Sequence, residues 1–213
     1  RDPYAIWVSE IMAQQTRIDS MLPYYQRWME RWPTVQALAE APIEEVLQVW
    51  QGLGYYNRAR KLHEGAKVVV ERYQGVLPAD IEQLRSIPGI GFYTAGAIGS
   101  IAYGLRAPAV DGNVLRVSTR VLQYSEDITK KPTVDFVWHQ VYDWMEGSDP
   151  AVFTQAMMEI GALVCTPKNP QCLICPLASF CGAGQTGTWN QYPVKKKAKP
   201  PVELELYTYW IEN

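Results

Sequence analysis

Apolar residues recur along most of the chain at intervals of three and four, the spacing that lines one face of an α-helix. Tyr4, Trp7, Val8, Ile11 and Ile18 fall on one such face. Similar spacing predicts helices over residues 38–50, 59–73, 93–103, 113–122, 134–145 and 151–164. Proline, glycine, aspartate or asparagine separates each from the next. A period of two appears only over residues 202–211, VELELYTYWI, which read as one lone strand. Before it, residues 186–201 carry Lys195, Lys196, Lys197 and Lys199 among prolines, the composition of a linker, either solvated or in contact with nucleic-acid backbone. The pattern predicts an all-α body, then a linker and the first strand of a further domain.

Within that pattern, LRSIPGIGFYTAGAI at residues 84–98 stands apart. Leu84 and Ile87 belong to a helical turn that Pro88 and Gly89 end, and a helix of small residues opens near Tyr93. The two glycines, Gly89 and Gly91, remove Cβ atoms where the backbone turns. Backbone N–H groups and the start of the next helix can then approach an anion such as a phosphate. A tight αα-corner with glycines for packing alone fits the same residues.

Composition narrows the class without choosing between those readings. The chain has 213 residues, 47% hydrophobic and 20% charged, enough for a substantial core and without an apolar run that spans a membrane. With 20 Lys and Arg against 22 Asp and Glu, the net charge is −2, so any nucleic-acid surface must be a local patch. The sequence opens at Arg1 inside what reads as an element, with no initiator methionine or signal peptide, so we expect a piece of a longer protein. His63 and His139 have no partners at metal-ligand spacing.

The four cysteines carry the strongest chemical signal. Cys165, Cys172, Cys175 and Cys181 are spaced C-x6-C-x2-C-x5-C in a loop with three prolines, the arrangement of a ligand cluster. A chain of this size does not need disulfides. Zinc sites usually pair two C-x2-C knuckles and only one short pair is present, so four thiolates around a 4Fe-4S cluster fit better, with zinc and free thiols as alternatives. Lys168 sits in the first interval between ligands, where it can meet a phosphate.

The hairpin followed by this cysteine loop resembles the helix-hairpin-helix glycosylases with an iron-sulfur cluster, a family that includes endonuclease III and the MutY-type adenine DNA glycosylases. WVSEIMAQQT at residues 7–16, GLGYYNRAR at 52–60 and VDGNVLRV at 110–117 are close to the MutY motifs. The resemblance extends to about Tyr192 and implies a two-lobed all-α fold. One lobe would run over residues 4–113 with the helix-hairpin-helix. The second, over residues 114–185, would carry the cluster and be completed by an N-terminal helix. Residues 186–201 would link to a recognition domain beginning at 202–213. Lyase-type members carry a lysine after the hairpin, where this chain has Tyr93, which cannot form an imine. The resemblance therefore points to the monofunctional adenine branch, with adenine opposite 8-oxoguanine or guanine in duplex DNA as substrate and hydrolysis as the reaction.

Under that reading Glu10 is the acid that protonates adenine and Asp111 faces the developing sugar cation, while Tyr93 and Asn113 position them. Glu10, three residues after Trp7 at the flank of an apolar stripe, is expected to be half-desolvated with a raised pKa. Asp111 also suits a helix N-cap. Gln15 and Thr16, at the end of the first helix, are expected near the base opposite the target. Tyr55 resembles the family's wedge, with a packed aromatic in a Gly-rich turn as the alternative, and Leu53 beside it is expected at the DNA; Arg58 is expected at phosphates or on a solvated helix face, and Gly89, Gly91 and Lys168 at phosphates. Ala13 departs from the family pattern, where a larger apolar residue is common. The resemblance further implies a 4Fe-4S cofactor, a monovalent cation at the hairpin, action as a monomer, no membrane association, and location with the DNA: the nucleoid of a bacterium, or the nucleus or mitochondria of a eukaryote. A bifunctional pyrimidine glycosylase-lyase and a non-catalytic DNA-binding protein with a metal cluster are the rival readings.

Overall fold

The structure, a computed structural model, describes residues 1–196. The expected strand at 202–211 and the end of the linker lie outside the described residues. Those described are helical, and among them no helix is long and apolar enough to cross a membrane.

Local chemistry sets the element ends. Helix α1 (Pro3–Ala13) starts at Asp2, whose side chain accepts from the Tyr4 N–H at 3.0 Å, with Pro3 in the first turn. It buries Tyr4, Trp7, Val8, Ile11 and Met12. Ile18 is not on this face. It opens a second helix, α2 (Ile18–Arg31), and is 61% exposed. The periodicity of α2, with Met21 and Trp28 buried, is interrupted by Pro23, which cannot donate to the carbonyl one turn back. The single helix expected over 38–50 is two: α3 (Val35–Glu40), capped by Thr34, and α4 (Ile43–Val49). Pro42 forces the break by pushing Ala41 into extended backbone, ψ 142°.

The long α5 (Asn57–Tyr73) and the short α6 (Ile81–Arg85) precede the hairpin, and α7 (Phe92–Tyr103) follows it. Gly89, at φ +84°, makes the reversal, and a Cβ there would lie 3.1 Å from that of Lys61 on α5. Beyond it come α8 (Gly112–Leu122), α9 (Lys131–Trp144) and α10 (Pro150–Glu159). A π-helical turn at Ile160–Val164 leads into the cysteine loop, which contains a 3-10 turn at Cys172–Ile174 and ends at α11 (Gly182–Gln185).

These helices bury two apolar clusters. The first is built on Trp7, Trp28, Trp50, Leu38, Leu62 and Leu84, where full burial of each leucine contributes about 1.5–3 kcal/mol. Trp28 meets Trp32 and Trp50 edge to face, with centroids 4.8 and 5.6 Å apart. The second cluster joins Val114 and Val117 of α8 to Val137 and Val141 of α9, Met145 and Met157. Helix α7 lies between them. Its Ile98 packs in the first cluster, and its Ala97 and Ile101 form a strip with Ala109, Tyr93 and Met158. Tyr93, Asp111 and the π-turn thus come together where the two clusters meet.

Candidate functional site

Two carboxyls from distant parts of the sequence share this junction. Glu10 projects from α1 and accepts a hydrogen bond from the Tyr93 hydroxyl, in the first turn of α7, at 2.7 Å. Burial raises the Glu10 pKa most strongly; the Tyr93 bond opposes this, and the charge of Asp111 adds to the rise. Burial, reinforced by the charge of Glu10, likewise pushes the Tyr93 phenol far up, so it remains a donor.

Asp111 sits in a different setting. It caps α8, accepting from the Val114 N–H at 2.8 Å on one oxygen and from Asn113 Nδ2 at 2.9 Å on the other. Asn113 is held in turn by Arg116, whose Nη2 donates to its carbonyl oxygen at 2.8 Å. One carboxyl is thus held against a phenol and biased towards its neutral form. The other accepts two N–H bonds at the start of a helix. An acid beside an anionic group is the arrangement that acid-assisted cleavage with a cationic intermediate requires.

Two arginines that sequence reasoning passed over hold this site to the cysteine loop. Arg116 also donates to the carbonyls of Gly161 and Cys165, at 2.7 and 2.8 Å. Arg120, only 2% exposed, donates to the Cys165 sulfur at 3.3 Å and to the carbonyls of Thr166, Pro167, Trp189 and Tyr192. Asn113, Arg116 and Arg120 follow the i, i+3, i+7 rule, so a polar stripe on an otherwise valine-rich helix was the available signal. The π-turn packs directly on Asn113: a Cβ at Gly161 would lie 2.6 Å from the Asn113 Cβ.

The four cysteines line one cavity of about 270 Å³ together with Arg120 and Trp189. Among the described residues, no three His, Cys, Asp or Glu side chains converge closely enough to hold a single ion. Four thiols lining one cavity fit the ligand set of a four-iron cluster. The Gly184 N–H, 3.3 Å from the Cys181 sulfur, and the Arg120 guanidinium supply N–H donors to ligand sulfurs, as such clusters require.

A second surface lies at the far end of α1. Gln15, Tyr55, Lys61 and Gly89 line a cleft of about 480 Å³. Gln15, two residues past the helix end, and Tyr55 both adopt left-handed backbone, φ 56° and 47°, and both are exposed. Thr16 is half-buried beside them. Across the hairpin, Gly91 starts α7 without a side-chain cap, leaving first-turn N–H groups open to an anion. Lys168 is exposed on the cysteine loop.

Two residues are placed otherwise than the sequence suggested. The Leu53 side chain, 8% exposed, packs in the first cluster rather than at the surface. The Arg58 guanidinium, expected at a phosphate, turns inward and donates to five backbone carbonyls and the Thr16 hydroxyl. In both cases a neighbouring element offers burial or acceptors that periodicity does not show.

Residues 8–141 match the family described as HhH-GPD superfamily base excision DNA repair protein, and residues 165–181 match the iron-sulfur binding domain of endonuclease III. The sequence is 50% identical over 190 residues to the adenine DNA glycosylase of Rattus norvegicus, covering 87% of this chain and 36% of that relative. The chain therefore spans little more than a third of the rat protein's length. A thermostable thymine-DNA glycosylase superposes with a TM-score of 0.78 at 26% identity, covering 87% of this chain and 86% of the other. A non-covalent endonuclease III-DNA complex gives 0.74 at 26% identity, covering 88% and 86%. The cysteine loop is a 4Fe-4S binding site. With the hairpin, the paired carboxyls and that loop in place, the chain belongs to the HhH-GPD superfamily of base excision DNA repair proteins.

Proposed function

We propose that this chain is the catalytic core of a monofunctional DNA glycosylase, acting as a monomer. It hydrolyses the N-glycosidic bond of adenine mispaired with 8-oxoguanine or guanine in duplex DNA and leaves an abasic site. The observation that carries this reading is the 2.7 Å bond from Tyr93 to Glu10 beside the capped Asp111. Glu10, whose pKa burial raises, gives its proton to N7 of the flipped adenine and makes the base a better leaving group. Tyr93 fixes the direction of that carboxyl. The Asp111 carboxylate, steadied by Asn113 and the α8 N-terminus, opposes the positive charge that develops at C1′ as the bond breaks. The absence of an amine at position 93 leaves no nucleophile there for a Schiff base, so the strand stays intact.

Duplex is held by the hairpin and the α7 N-terminus through phosphate, with Lys168 from the cysteine loop as a further contact. Gln15, Thr16 and Tyr55 meet the base opposite the target across the second cleft. The cluster bound by Cys165, Cys172, Cys175 and Cys181 cross-links its loop and supplies no step of the reaction.

The test is incubation with duplexes carrying adenine opposite 8-oxoguanine or guanine, with free adenine and strand cleavage assayed separately and no base added. Adenine release with an intact abasic strand is expected. Absence of adenine release, or efficient unaided nicking, overturns the proposal.

A further inference from the structure

We propose that Arg58 is a positioning residue that sets the reading of the mispair by locking two loops to each other. The inference rests on the assignment of the Gln15–Tyr55 cleft to the mispair. The guanidinium fork spans the gap between the α1 C-terminus and the Gly52–Tyr55 turn. One terminal nitrogen donates to the carbonyls of Ile11 at 3.0 Å, Met12 at 3.1 Å and Gln14. The other donates to the Thr16 hydroxyl at 3.4 Å and to the carbonyls of Leu53 at 3.1 Å and Gly54 at 3.3 Å. Among the described residues, no other hydrogen bond joins these two segments.

The acceptors explain why a guanidinium is required. The last carbonyls of a helix have no intrahelical partners, and they carry the negative end of its dipole. A rigid cationic fork satisfies several of them together, whereas a single ammonium presents its donors from one point. The ring faces of Trp50 and Tyr55 lie 5.2 and 5.7 Å from the guanidinium carbon and enclose it.

What the clamp holds is specific. Gln15 and Tyr55 are the two non-glycine residues in left-handed backbone on this face, and L side chains stay in that region only when neighbouring structure holds them there. Each follows a carbonyl that Arg58 binds: Gln14 precedes Gln15, and Gly54 precedes Tyr55. Arg58 therefore fixes the distance and angle between the amide that meets the opposite base and the aromatic beside it. Although Arg58 lines the cleft, the donors on its two terminal nitrogens face protein, so it contributes to recognition through those two residues and not through a phosphate.

The experiment compares Arg58→Lys and Arg58→Ala in the parent and in a Gln15→Ala/Tyr55→Ala background. It reads Kd for a duplex with hydrolysis-resistant 2′-fluoroadenosine opposite 8-oxoguanine, Kd for a matched duplex, and the salt dependence of both. Melting temperature and visible absorbance check folding. Arg58→Lys is expected to weaken mispair binding at least about tenfold, and matched-duplex binding far less. In the double-alanine background the same change should alter Kd less than about twofold, the non-additivity of residues acting as one unit. The salt slope should stay at the parental value, whereas loss of a phosphate contact would reduce it by about one.

An undiminished loss in the double-alanine background, a reduced salt slope, or parental discrimination in a folded variant would each overturn the proposal. So would failure of both variants to fold, or equal loss of binding to both duplexes in step with melting temperature, since Arg58 would then be a structural clamp alone. If the parent releases no adenine, the proposed reaction fails while this comparison, which reads binding, still stands.

Discussion

A carboxyl that must give up a proton near neutral pH has to be carrying one, and burial moves Glu10 in that direction against the opposing bond from Tyr93. Glu10→Gln keeps the shape and can still accept the phenol's bond, but has no acidic proton. Adenine release should fall at least about 100-fold while mispair binding persists, measured by single-turnover kinetics and a binding titration. The same raised pKa has a cost in stability. The folded chain holds the Glu10 proton more tightly than the unfolded chain does, so stability falls as pH rises from the unfolded pKa through the raised folded one. The glutamine variant escapes that loss. Its melting temperature should exceed the parent's at neutral pH, and the two should converge below about pH 4, where glutamate is protonated in both states. Activity that depends on protonated Glu10 should decline over the same rising range. Asp111 separates two roles in one side chain. Asparagine caps helices as well as aspartate, so Asp111→Asn should shift melting little, yet removing the charge should slow release by about 100-fold or more. A release rate near the parental one would remove Asp111 from the chemistry.

At the scale of elements, the π-turn at Ile160–Val164 is the support on which Asn113 rests. Gly161→Ala would place a methyl 2.6 Å from the Asn113 Cβ. Overpacking of this kind costs about 1–3 kcal/mol, and here the displaced residue is the one that steadies Asp111. Thermal melting should show the loss of stability, and adenine release should slow even in the folded population; parental kinetics would mean that the turn yields instead. This turn also marks the limit of what the sequence shows. The spacing over residues 151–164 reads as one helix, because the π-turn continues the helix without a proline or side-chain cap to mark the change. The helices around α5, α7, α8 and α9 were legible from period, and three short motifs singled out Glu10, Tyr93 and Asp111, which the structure brings together. Helix α2 was hidden by Pro23, and Pro42 split a pattern that apolar spacing alone ran together. Arg58, Arg116 and Arg120 were illegible for a common reason. Each is satisfied mainly by backbone carbonyls remote in sequence, and a carbonyl leaves no mark on residue type.

For the molecule as a whole, the contacts of Arg116 and Arg120 make the cysteine loop part of the second cluster's framework rather than an appendage. Cys172→Ser removes one of four ligands, so the protein should lose visible absorbance and melt at lower temperature, as metal-linked folds do. A colourless parent protein carrying stoichiometric zinc would overturn the cluster assignment. The distribution of tryptophans makes the two halves separately visible. Trp7, Trp28, Trp32 and Trp50 are packed in the first cluster and Trp144 against the second, whereas Trp189 lines the cysteine cavity and faces Arg120 at 5.5 Å. Thiolate-to-iron charge-transfer absorption overlaps indole emission, so a bound cluster would quench tryptophan by resonance energy transfer, most strongly Trp189, which lines its cavity. Indoles buried in the other half sit farther from that acceptor. Loss of the cluster should therefore brighten tryptophan emission, and Trp189→Phe should remove the largest single share of that gain, turning the protein's own fluorescence into a gauge of cofactor occupancy that needs no added dye.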